Sequence, residues 1–249
     1  SKEIGSHFWL VRIFCVTSRP KTETTMKRLA MGALWILAVT AAGRSVVTSP
    51  DVKTLQVVAG QDWLSPPVLR LGSDDVLNVA FDEMSHTYHH YVYRLEHCEA
   101  DWSPSEQLFE SNWLEGFNGN PIEDYENSLN TTVLYTHYTL QIPNEKCRLK
   151  MSGNYRLSVI DEDNGGEEVL VAEFYVVEPL MDVGLSVTTN TDIALNTRYQ
   201  QVAMTVNYNG VSVTNEDTQI RTAVMQNGRE DNQRLNVPYT YSTDKGLKR

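Results

Sequence analysis

Cysteine is scarce in this 249-residue chain: there are three, Cys15, Cys98 and Cys147, and no C-x-x-C pair. A chain of this length buries a core without disulfide staples, so the shortage leaves an ordinary globular fold open. Long apolar runs are missing too. A membrane-spanning helix needs about 20 apolar residues, and the run from Leu29 to Ala42 stops short of that at Gly43-Arg44. Glycine (14) and proline (9) are too few for a low-complexity linker, and no long internal repeat is present. Neither G-x-S-x-G, H-E-x-x-H nor a phosphate-cradling glycine loop occurs, so no motif announces a nucleophile or a metal-activated water. Positive charge is the largest deficit. Lys and Arg number 21 against 32 Asp and Glu, a net charge of −11, and beyond residue 43 the count is 15 against 30. Nucleic-acid binding depends on Lys and Arg displacing phosphate counterions, and a basic patch is what draws a peripheral protein to anionic headgroups. Neither partner suits so acidic a body. What is present, 41% hydrophobic and 21% charged residues, excludes disorder and collagen-like repeats.

The segment Met26-Lys-Arg-Leu-Ala-Met-Gly-Ala-Leu-Trp-Ile-Leu-Ala-Val-Thr-Ala-Ala-Gly43 has a basic start, an apolar middle and small residues at its end. That is the pattern of a secretory signal peptide, with cleavage expected near residues 41–43 and a mature chain that is exported. Residues 1–25 precede this candidate start and read as an upstream extension; Cys15 would leave with them. No cysteine follows the apolar stretch to take a lipid. In an oxidising compartment Cys98 and Cys147 either pair or remain buried thiols, and the sequence leaves both open.

From residue 52 onward, β-branched and aromatic runs alternate with turn signals, and no stretch holds helical spacing for three turns. The fold class is therefore all-β. Strands are expected at 55–59, 68–71, 76–81, 91–98, 138–142, 154–160, 169–177, 183–188, 201–207 and 219–226. In Tyr91-Val-Tyr-Arg-Leu-Glu-His-Cys98 the positions Tyr91, Tyr93, Leu95 and His97 share one face. Tyr155, Leu157 and Val159 do the same, and the acidic turn Asp161-Glu-Asp-Asn-Gly-Gly166 joins their strand to the next as a hairpin. The strands before Glu178-Pro179 fit an immunoglobulin-like β-sandwich over residues 44–179. The three or four that remain form a partial second β-domain, residues 180–249, too small a sheet to stand alone.

Between Arg94 and Lys146 there are ten acids and no Lys or Arg. Trp102, Phe109, Trp113, Phe117 and Tyr125 are interleaved with them in the stretch 99–128, which is expected to be free of strands. Long insertions between sandwich strands often carry binding function, so Asp101, Trp102, Trp113, Phe117, Asp124 and Tyr125 are the candidate partner-binding residues. The plainer reading packs these aromatics onto the sandwich and leaves the acids to water. Asp82-Glu83, Asp101 and Glu123-Asp124 offer carboxylates for glycoside hydrolysis, but no spacing sets two of them across a sugar. His86, His89, His90, His97 and His137 read as structural histidines and not as metal ligands, since the segment at 86–90 leads into a strand. Asn130-Thr-Thr132 matches a glycosylation sequon. No catalytic residue, metal or cofactor is expected.

Several residue strings go further: Phe81-Asp-Glu-Met84, His97-Cys-Glu-Ala-Asp-Trp-Ser-Pro-Ser105, Trp113-Leu-Glu-Gly-Phe117, Asp124-Tyr-Glu-Asn-Ser128, Tyr135-Thr-His-Tyr138, Ile142-Pro-Asn144, Ser152-Gly-Asn-Tyr155 and Gln226-Asn-Gly-Arg-Glu-Asp-Asn232. In this order they resemble the type IX secretion system plug protein family of Bacteroidota over residues 55 to 238. The resemblance implies a periplasmic, non-enzymatic accessory protein. Its partners would be the outer-membrane translocon β-barrel and associated subunits, and it would close the channel when no cargo occupies it. It also implies a longer protein, of which this chain resembles the N-terminal half. The competing reading is an exported glycan-binding β-sandwich, in which the same aromatics stack on sugar rings and acids bind hydroxyls.

Overall fold

The computed structural model describes residues 9–15, 45–61, 63–189, 200–208, 211–226, 232–238, 241–243 and 246–248. The leader expected at residues 26–43 lies outside them. The chain divides into two units, residues 42–178 and residues 1–41 with 179–249. Strand β1 (Trp9–Cys15) belongs to the latter.

The 42–178 unit contains β2 (Val46–Val47), β3 (Val52–Ala59), β4 (Val68–Arg70), β5 (Leu77–Glu83), β6 (Tyr91–Cys98), the helical turn α1 (Glu110–Trp113), β7 (Leu114–Gly116), β8 (Asn120–Pro121), β9 (Asp124–Asn127), β10 (Thr136–Ile142), β11 (Cys147–Leu149), β12 (Gly153–Asp161) and β13 (Glu167–Val177). One sheet has the order β3-β5-β10-β9 and the other β2-β13-β12-β6-β8, with β4 added parallel to β13. Period-two alternation explains how they meet. In β5, Leu77, Val79 and Phe81 are buried while Asn78, Ala80 and Asp82 alternate with them on the outer face. Tyr91, Tyr93, Leu95 and His97 of β6 and Tyr155, Leu157 and Val159 of β12 are buried, as their spacing predicts. The apolar sets of both sheets, with Leu170, Ala172 and Phe174 of β13, form a single core. The acidic hairpin closes β12 onto β13, with Gly165 and Gly166 supplying left-handed φ angles of 69° and 79°.

The stretch 99–128 is not the strand-free loop expected. It holds α1, β7, β8 and β9, and residues 104–105 and 118–122 run along the outer edge of β6, while β7 pairs with β11. The Ser105 N–H donates to the His97 carbonyl at 2.9 Å, and the Ile122 N–H donates to the Tyr91 carbonyl at 2.8 Å. Between them, Asn118 acts as a strand partner made of one side chain. Its Oδ1 accepts the Leu95 N–H and its Nδ2 donates to the Leu95 carbonyl, both at 2.8 Å. Asn120 and Pro121 pair with Tyr93 and Val92. After Ile122 the chain crosses to the other sheet as β9, whose pairing with β10 completes that layer.

The second unit has β14 (Asp182–Thr188), β15 (Gln201–Asn207), α2 (Glu216–Gln219), β16 (Ile220–Gln226), β17 (Arg234–Leu235), β18 (Tyr241–Thr243) and β19 (Gly246–Lys248). They form sheets of order β14-β15-β19-β18 and β1-β16-β17. β1 pairs with β16 from Trp9 opposite Gln226 to Cys15 opposite Ile220, so residues 9–15, within the expected upstream extension, supply a strand here. Met204, Val206, Tyr208 and Ile220 make a separate small core.

Asn118→Ala removes both hydrogen bonds to Leu95 and leaves a strand N–H and carbonyl without protein partners. Equilibrium urea unfolding of the full chain is expected to show a loss of about 1–3 kcal/mol, with Asn118→Asp recovering only the bond from the N–H.

Candidate functional site

The six candidate residues do not share a surface. Trp113 is 6% exposed and packs edge-on to Tyr155 at 5.9 Å, so neither a partner nor a sugar ring reaches it. It is corrected from contact residue to core residue. The reason lies in α1, which turns the chain just before β7 and puts Trp113 over the core while Glu110 and Glu115 stay outside. Asp101 and Trp102 sit in a turn just beyond the C-terminal end of β6. Asp101 accepts the Ser103 hydroxyl at 2.5 Å and its N–H at 3.1 Å, bonds that hold its carboxyl below the usual range. Trp102, at φ 66°, lies edge-on to Tyr175 at 5.3 Å. Asp124 and Tyr125 lie in β9, nearer the N-terminal end of β6, whose seven steps span about 23 Å. Phe117, 77% exposed, stands beside the middle of β6.

The string His97 to Ser105 is a structural clasp. His97 Nδ1 is 2.8 Å from Ser105 Oγ, and Nε2 is 3.3 Å from the Ser152 carbonyl. Its ring meets Tyr155 edge-on at 5.1 Å. Gly153 makes room for it, because a β-carbon there would strike His97 Nε2. Burial pushes the His97 pKa below its ordinary 6.5, against the opposing pull of the Ser152 carbonyl and Glu99. The string Ile142-Pro-Asn144 is a second clasp, with a cis Ile142–Pro143 peptide. The Asn144 amide donates to Tyr93 Oη at 2.9 Å and its Oδ1 accepts the Lys146 and Cys147 N–H groups. Both Cys98 and Cys147 are free and buried, and burial raises each thiol, Cys98 to about 11.

The other described histidines are also spoken for. His89 meets Asp161 at 2.9 Å, His90 meets Glu162 at 2.9 Å, His137 meets Asp82 at 2.7 Å, and His86 meets Ser128 at 2.9 Å. Among the described residues no three His, Cys, Asp or Glu side chains converge on a point that holds a metal ion.

What the structure does assemble is an apolar tip on the β3-β5-β10-β9 sheet. Two loops build it, residues 84–88 after β5 and 128–135 before β10. The Thr136 hydroxyl donates to the Ser85 carbonyl at 2.8 Å, and His86 meets Ser128 as above, so the loops are tied together. Leu129, Val133, Leu134 and Tyr88 are exposed on them. A train of rings supports them from below. Phe81 stacks on Tyr138 at 5.2 Å, Tyr138 meets Tyr125 at 5.7 Å, and Tyr125 meets Tyr88 at 5.5 Å. Of the candidates read from sequence only Tyr125 belongs to this tip. The Val133-Leu134 pair within a run of turn residues was its available signal.

An all-β sandwich with exposed chemistry that is apolar at one end and acidic along the flank is the class that fold and surface define. The chain belongs to the type 9 secretion system plug family: the model of the plug protein first domain matches residues 52–178. A crystal structure of a hypothetical protein from Parabacteroides merdae is 34% identical, with a TM-score of 0.76, and the match covers 82% of this chain. It covers 51% of that protein, so this chain spans about half of its length. No curated protein matches the chain.

Trp113→Ala is expected to destabilise the full chain by about 3–5 kcal/mol in urea, while Phe117→Ala stays within about 0.5 kcal/mol. For His97 the sign follows from its lowered pKa. Above about 6.5 both folded and unfolded states are neutral there; as pH falls below that, the unfolded state takes the proton first and stability drops. His97→Gln should show a shallower loss of unfolding free energy between pH 7.5 and 5.5 than the unaltered chain.

Proposed function

We propose that the chain acts as a plug of the type IX secretion system: an exported, periplasmic, non-enzymatic β-module that binds the outer-membrane translocon barrel through protein contacts and closes its channel from the periplasmic side. Family membership ties the protein to type IX secretion. The observation that carries the finer reading is the apolar tip, four exposed hydrophobic side chains on loops braced by Phe81, Tyr138 and Tyr125. An exposed apolar patch rimmed by polar residues marks an interaction surface. Occlusion by contact needs a body that does not yield, and a close-packed sandwich core supplies one. Release needs no chemistry, only a competitor that binds the open barrel better than the plug does.

The chain is to be expressed in full and, without β1, from Met26, each with a C-terminal tag in a cell that has this secretion system, crosslinked, and recovered from solubilised envelopes. Barrel subunits are expected to copurify, and the double variant Leu129→Asp, Leu134→Asp should lower their recovery at least about fivefold without changing the circular dichroism. A folded, exported product free of barrel subunits overturns the proposal.

A further inference from the structure

At the other end of the same sheet lies a hollow that the plug reading does not use. It is an open depression of about 420 Å³ on the outer face of β3 and β5. That volume falls within the ~300–1,000 Å³ of small-ligand sites. We propose that it binds a neutral saccharide, with Trp63 as the stacking platform.

The hollow exists because of Ala80. On β5 this residue stands between Asn78 and Asp82 and lies opposite Gln56 of β3, and its methyl group leaves the floor low. Trp63, on the segment between β3 and β4, forms one wall and is 67% exposed. An indole left open to water at this level is available to an apolar face. The remaining described walls are amides and small apolar groups: Gln56, Gln61 and Asn78, with Val58. Asn78 is held in place, its Oδ1 accepting the Gln141 amide at 2.9 Å and its Nδ2 directed to the Gly60 carbonyl at 3.5 Å. The Gln56 and Gln61 amides make no hydrogen bond among the described residues. Each presents both a donor and an acceptor.

Ligand class follows from this composition. None of the described lining residues carries a charge, so nothing in them selects an anion or an ammonium group. Two described charges on that face are engaged elsewhere: the Lys53 ammonium donates to the Pro50 carbonyl, and Asp82 pairs with His137. A wholly apolar ligand would strip water from three amides with nothing to replace it. A polyproline segment is read by grooves with several aromatic walls, whereas here one indole stands among amides. A pyranose has an apolar C–H face for Trp63 and a rim of hydroxyls that donate and accept together, as the amides require. Along β5 the floor of the hollow at Ala80 is about 13 Å from the start of the tip, four residue steps away. Saccharide binding and translocon binding are therefore separable.

The test is an array of neutral and anionic glycans probed with the purified full chain, followed by calorimetry with the strongest neutral oligosaccharide and with decaproline. Neutral glycans are expected to bind, and Trp63→Ala should weaken them at least about tenfold, as should Ala80→Leu, which fills the floor with Trp63 still present. Gln56→Ala should cost about threefold or more. All three positions are at the surface, and unfolding midpoints in urea should be unchanged. Absence of neutral glycan binding, binding confined to anionic glycans, binding indifferent to Trp63→Ala, or Trp63-dependent capture of decaproline alone would each overturn the proposal.

Discussion

The outer edge of β6 is the constraint on which the domain depends. β6 supplies four buried residues to the core, yet on one side it has no full-length strand beside it. A row of unpaired backbone groups next to a hydrophobic core is costly to bury and invites pairing with another chain. The polypeptide meets this with the long segment after Cys98, which supplies a backbone N–H, a side-chain amide, a two-residue strand and another N–H in succession. In doing so it delivers Trp113 to the core and starts β9, which carries Tyr125. Edge protection, core completion and the base of the apolar tip are thus one piece of chain.

The alternating strands were legible because their burial is set by local periodicity: Leu77 to Phe81, Tyr91 to His97 and Tyr155 to Val159 can each face the core in only one register. The segment after Cys98 was not, because its structure is imposed by β6. Asn118 is read as a loop polar residue until the Leu95 backbone is placed beside it. Trp113, flanked by acids, looks like a surface aromatic until α1 turns it inward. The recognisable strings around His97 and Asn144 identify the family, yet they are clasps of the fold. Signals of kinship and the exposed apolar side chains of the tip fall on different residues, since clasps need particular side chains whereas an apolar tip requires only that they be apolar.

The β3-β5-β10-β9 sheet presents two unlike chemistries, an apolar tip and a hollow whose described walls are uncharged and largely amide, with the hydrogen-bonded Asp82 and His137 between them. A sheet suits this because its rigid ladder fixes the separation while outward positions vary without disturbing the inner face. Acidity elsewhere on the domain keeps either end from attracting polyanions without selection.

The two buried thiols carry a consequence for the life history of the chain. A thiol reacts with an oxidant or a disulfide as its thiolate, and burial holds Cys98 and Cys147 protonated and out of reach. Once folded, the domain is indifferent to an oxidising surrounding; before folding, the same two sulfurs are open to mismatched bridges with any neighbour. In an oxidising compartment folding and oxidation would therefore be in a race, and each molecule's sulfurs would keep a chemical record of which came first.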